Sequence, residues 1–102
     1  MAIVYSVTVV PDPEIEIAYV QWLQEEHISD VLNTGCFDEA RFFKVLSEDE
    51  SSGASYNIQY YTTEMSRYFD YIHDYAPVMR SKGKELFGEK FHAFRTVLKE
   101  IK

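Results

Sequence analysis

The sequence has little of what marks secreted, fibrous or nucleic-acid-binding chains. It holds one cysteine, Cys36, so no intrachain disulfide is available, and neither paired-cysteine zinc spacing nor a CxxC redox pair is present. A reducing compartment, the cytosol, is the expected location. Four glycines and three prolines in 102 residues exclude collagenous and low-complexity architectures. Basic residues are scarce: ten Lys and Arg against seventeen Asp and Glu leave a formal net charge of −7. A surface of that sign repels phosphate backbones and anionic bilayers, so no nucleic acid and no membrane is expected as a partner. No apolar run approaches the roughly 20 residues of a membrane-spanning helix. The apolar start, residues 1–10, lacks the basic flank of an export signal. With no Gly-rich phosphate loop, nucleophile elbow or dinucleotide fingerprint, nothing signals nucleotide-dependent chemistry.

What remains is an ordinary globular composition, 46% hydrophobic and 26% charged, in a length that fits one domain over residues 1–102. Tyr5, Val7 and Val9 alternate with Ser6 and Thr8, the period of a strand. Pro11 stops it, and Asp12 followed by Pro13 predicts a helix start. In the helix, Ile15, Tyr19, Trp22 and Leu23 share one face, whereas Ile28, Val31 and Leu32 fall nearly opposite. One straight helix cannot bury both sets, so a break is expected near Ile28, with Ser29 as a cap and Gly35 as the left-handed residue that ends the segment. Residues 37–46 and 56–61 read as strands joined by the acidic connector at 47–53, a hairpin tip rather than a calcium loop because the EF-hand spacing is absent. From Met65 to Phe87 one apolar stripe stays in helical phase through Pro77, where a kink or restart is expected. Gly83 lies on that stripe and permits close approach to a sheet. Gly88 ends the helix, and residues 91–101 read as the last strand.

The order predicts an α+β, ferredoxin-like βαββαβ fold, a four-stranded antiparallel sheet with two helices on one face. If Val7, Ile58 and Phe94 lie under the helices, the open face carries Ser6, Thr8, Asn57, Gln59, Tyr61, Arg95 and Val97. That mixture of polar and apolar groups suits a partner sheet over a partly wet cavity, and a homodimer through the open face is expected.

The stretch WLQEEHISDVLNTGCF at 22–37, with ARFFKVL at 40–46, YNIQYY at 56–61, HDYAP at 73–77 and FHAFRTVL at 91–98, resembles an uncharacterised bacterial domain-of-unknown-function family of similar length. More distantly, the TGCF turn before a long hairpin and helix resembles the dimeric α/β barrel superfamily, which includes antibiotic-biosynthesis monooxygenases, haem-degrading enzymes and stress-responsive barrel proteins. The second resemblance implies fold and dimerisation. The first implies no reaction, cofactor or catalytic residue.

Unaided, the residues support these candidates. His27 follows Glu25 and Glu26 beside the expected helix break, where it can serve as an acid or base or simply bond loose helix-end carbonyls. Arg41 and Arg95 lie within strands, where a guanidinium needs an acid or an anionic ligand. Arg95 is read as marking the polar end of a cavity between paired sheets, or else as pairing with Glu39 or with an acid of the other subunit. Tyr61 and Gln59 complete the ligand-binding candidates, and Tyr60, Tyr68, Tyr71 and Tyr75 read as pocket lining or core. His27, His73 and His92 show no metal-ligand spacing, and Cys36 reads as a small buried hydrophobe. A non-catalytic homodimeric module, structural or binding a small anionic ligand without a cofactor, is the favoured reading. The alternative is a small cofactor-independent monooxygenase or isomerase.

Overall fold

Alternating β-branched and aromatic side chains make β1 (Ile3–Pro11) the strand on which the rest of the sheet is built. In the computed structural model, which describes residues 1–46 and 53–102, β3 (Tyr56–Thr62) and β4 (Phe91–Lys99) flank β1, and β2 (Glu39–Lys44) lies beyond β3. The order is β2-β3-β1-β4, with every neighbouring pair antiparallel. The expected ferredoxin-like order is therefore the observed one. The connector at 47–52, with its expected hairpin tip, lies outside the described residues.

The helices carry an unexpected device. The first runs as α1 (Glu16–Trp22), a π turn at Leu23–His27 and α2 (Ile28–Leu32), with the Ile28 N–H donating to the Leu23 carbonyl five residues back. The expected break is thus a continuous wide turn. One extra residue in the turn rotates the downstream half of the helix by about 100°, enough to bring Val31 into the core that already holds Tyr19 and Leu23. Ser29 caps nothing, because α2 has no free N-terminus. Asp12 is not a side-chain cap either: its carbonyl accepts from the Ile15 N–H in a turn, and helix begins only at Glu16. The second helical segment repeats the device as α3 (Met65–Asp70), a π turn at Tyr71–Tyr75 and α4 (Ala76–Phe87). Pro77 cannot donate and would crowd the carbonyl four residues earlier, and the wide turn just before it accommodates both defects. After this turn the buried face comprises Ala76, Met79 and Gly83, while Met65, Phe69 and Leu86, expected on the buried stripe, are exposed.

Positive φ at Gly35 and Gly88 reverses the chain after α2 and α4, as expected. Tyr5, Val7 and Val9 of β1 and Ile58 and Tyr60 of β3 face the helices, as read from the sequence. The fourth strand has the opposite parity. Val7 pairs with Arg95, Tyr5 with Val97 and Thr8 with Phe94. Arg95 and Val97 therefore lie on the helix side, and Phe94 and Leu98 lie on the open face, 63% and 46% exposed. Either parity of β4 offers apolar residues, and the side is decided by Phe91, whose ring stacks on Tyr19 at 5.0 Å beneath the first helix.

Candidate functional site

Between sheet and helices lies a cavity of about 310 Å³. Its floor is β1 and β3, through Tyr5, Val9, Ile58 and Tyr60. Both π turns help to line it, Leu23 and His27 from the first and Tyr71 from the second. Such turns occur often at functional sites because they re-aim side chains without ending the helix. Here the turn stacks the rings of Trp22 and His27, five residues apart, with centroids at 4.5 Å and planes 25° apart. Gly83 completes the wall: a Cβ there would lie 3.3 Å from Trp22 Cη2 and 3.5 Å from Phe91 Cζ, so its absence lets α4 close onto both rings.

The polar groups of the cavity are neutral or cationic. His27 Nδ1 is buried and has no hydrogen-bond partner among the described residues. Burial pushes the imidazole down to about 4, with Asp30 opposing and Lys82 and Arg95 reinforcing. Burial raises the Tyr19 phenol to about 12 against the pull of Arg95. Tyr60 and Tyr71 are likewise held above the ordinary phenol value, first by burial and then by neighbouring tyrosines. Arg95, an exposed residue, lines the same cavity as Tyr19, His27 and Tyr71 and acts on all three through its charge. Arg80 Nη2 donates to the Tyr5 hydroxyl at 3.3 Å. Lys84 lies 3.5 Å from Glu89, the one acid among the described lining residues.

The depressed His27 gives a pH dependence of definite sign. Between its ordinary value of 6.5 and the folded value of about 4, the unfolded chain binds more protons than the folded one. The contribution is complete above pH 6.5 and is lost as pH falls toward 4, amounting to something on the order of 3 kcal/mol. Urea midpoints measured from pH 7 down to pH 4 should fall less steeply for His27→Gln than for wild type. Parallel slopes would place His27 in solvent.

Of the five candidates from the sequence, the structure brings His27 and Arg95 together at this cavity. Arg41, Gln59 and Tyr61 lie on the other face of the sheet. There the Tyr61 hydroxyl donates to Gln59 Oε1, and Arg41 sits over the Tyr61 ring at 5.7 Å. A single site built from all five is excluded by the sheet between them. Arg95 does not pair with Glu39, which lies 4.0 Å from Arg41 instead. The cavity is under the helices, not between paired sheets. Sequence reasoning missed Tyr5, Tyr19, Trp22 and Arg80 as lining residues. Their signal was Gly83 on a buried stripe, with Arg80 three residues before it and Lys84 one after. Among the described residues no group of three His, Cys, Asp or Glu side chains is placed to hold a metal ion. His73 and His92 are exposed, and Cys36 is buried.

Residues 2–101 match the model of one family, Domain of unknown function (DUF4286). The chain belongs to that family. No curated protein matches the sequence. Among solved structures, an ethyl tert-butyl ether D (EthD) family protein from Bacillus halodurans aligns with a TM-score of 0.67 at 10% identity, over 97% of this chain and 99% of that one. The hydroxynitrile lyase from Passiflora edulis aligns at 0.64 and 12% identity, over 97% of this chain and 95% of that one. A dimeric ferredoxin-like protein of unknown function from Jannaschia sp. aligns at 0.58 and 11% identity, over 96% and 99%. At these identities the likeness establishes the shared fold.

Proposed function

We propose that the protein is a cytoplasmic, single-domain homodimer that binds a small molecule in the cavity beneath its helices. The observation that carries this reading is the cavity itself. Its volume of about 310 Å³ sits at the lower end of the roughly 300–1,000 Å³ of ligand sites. Its walls are mostly apolar and aromatic, with a few convergent polar groups. Thermal melts against a library of small metabolites test it: a bound compound raises the melting temperature by mass action. A library that leaves the melting temperature unmoved would count against the cavity as a binding site.

The dimer half of the proposal rests on the open face. Phe94 and Leu98 on β4 and Phe43 on β2 are all exposed there, beside a polar centre in which Asn57 Nδ2 donates to Ser6 Oγ at 2.9 Å and Thr8 Oγ1 at 3.1 Å. Neighbours described as dimeric ferredoxin-like proteins support a dimer. Leu98→Glu is expected to shift the protein to monomer in size-exclusion chromatography with light scattering, with the fold retained. Val97 faces the helices, so a charge there tests folding and not association. A monomeric wild type at micromolar concentration would end the dimer reading.

A second reading, a cofactor-independent isomerase, is favoured by one observation: a neutral histidine with an unpartnered nitrogen shares the cavity with an arginine, as a proton acceptor and an anion stabiliser would. It requires solvent deuterium to enter the ligand catalytically, which simple binding does not.

A further inference from the structure

We infer that the cavity selects an anionic aromatic ligand, an aryl carboxylate, with its charge on Arg95 and its ring against Tyr19 and Trp22. This rests on the binding reading above and names the ligand class.

Charge is the first argument. The chain carries a net −7, yet three cations, Arg80, Lys84 and Arg95, line this cavity against one acid, Glu89. Lys84 is matched by that acid at 3.5 Å, and Arg80 is engaged by the Tyr5 hydroxyl. The Arg95 side chain, which is exposed, has no hydrogen bond or ion pair with any other described residue. A guanidinium beside aromatic walls gains most from a planar, two-oxygen anion, which it binds through two parallel hydrogen bonds. Nothing on the walls opposes a negative charge at that point, because His27 is uncharged at neutral pH and the tyrosines near Arg95 are protonated.

The second argument is shape. Ring faces line the cavity in stacked pairs, Tyr19 on Phe91 at 27° between planes and Trp22 on His27 at 25°. Flat apolar walls in a volume of about 310 Å³ fit one or two fused rings better than a branched or extended chain. Glu89 offsets Lys84, and Arg80, though its charge is not neutralised, is held at the Tyr5 hydroxyl, so Arg95 is the guanidinium left to take a carboxylate.

The test compares acids with their uncharged isosteres at pH 7.5, using isothermal titration with 4-hydroxybenzoate, indole-3-carboxylate, the corresponding primary amides and phenyl phosphate. The expected result is that each acid binds at least about tenfold more tightly than its amide, and more tightly than phenyl phosphate. In Arg95→Met the acid and amide affinities should converge while amide binding persists, and Arg95→Lys should retain part of the preference. Equal binding of acid and amide by wild type, or an undiminished preference in Arg95→Met, overturns the charge assignment and leaves the cavity as a ligand site. Tighter binding of phenyl phosphate than of either acid overturns the carboxylate class. If neither acids nor amides bind while aliphatic compounds raise the melting temperature, the aromatic class is wrong and the binding reading stands; if nothing binds, both fall.

Discussion

Deleting Gln24 from the first π turn is expected to remove most of the stability of the fold, although Gln24 is exposed. The turn exists to hold one additional residue between Leu23 and Ile28, whose N–H reaches the Leu23 carbonyl. Without it the helix reverts to regular four-residue hydrogen bonding, and everything from Ile28 onward rotates by about 100°. Val31, 1% exposed, then leaves the core, together with half-buried Ile28 and Leu32. Full burial of each such side chain contributes about 1.5–3 kcal/mol, so a loss on the order of 5 kcal/mol results, comparable with the whole stability of many domains. Gln24→Ala preserves the residue count and should be close to neutral. Urea unfolding of the two variants decides the matter, and a deletion within about 1 kcal/mol of wild type would show that the turn does not set the phase.

Tyr5→Ala is expected to cost roughly 3–5 kcal/mol, the range for emptying a large aromatic site. Tyr5 is 3% exposed and sits mid-sheet on β1. Its ring centroid lies 5.9 Å from Phe37, 6.0 Å from Tyr60, and 5.6 Å from both Tyr68 and Tyr71. Truncation therefore opens the core where the sheet, the second helix and the cavity floor meet. Tyr5→Phe keeps those contacts and removes only the hydroxyl that accepts from Arg80, a change worth under about 1 kcal/mol. Calorimetric melts should separate the two variants clearly. Comparable losses would mean that the Arg80 bond, and not the ring packing, carries the site.

Local pattern made much of the architecture legible. Strict alternation in β1, left-handed glycines at 35 and 88 and the apolar phase of Met65 to Phe87 require only neighbouring residues to be read, and they led to the βαββαβ order. The phase conflict between Leu23 and Ile28 was also visible, though not its solution. A helix that must bury both sets can break or widen, and widening retains nearly all of its hydrogen bonds, a choice settled only when both halves pack on one sheet.

The candidate site was less accessible for the same reason. His27 and Arg95 lie far apart in the chain, and each side chain announces only that it needs a partner. Residues 91–99 alternate acceptably in either register, because Phe91, Ala93 and Val97 oppose Phe94 and Leu98 with nearly equal hydrophobicity. The sequence by itself determined the elements, their order and the acidic balance, all of which come from short-range sterics and composition. Tertiary structure alone decided which face of β4 meets the helices, and hence that Arg95 joins His27 at an aromatic cavity while Arg41, Gln59 and Tyr61 stay on the open face. On an edge strand, a one-residue shift of register reverses every side chain with little change in local energy, so the parity was set by the rings packed against it.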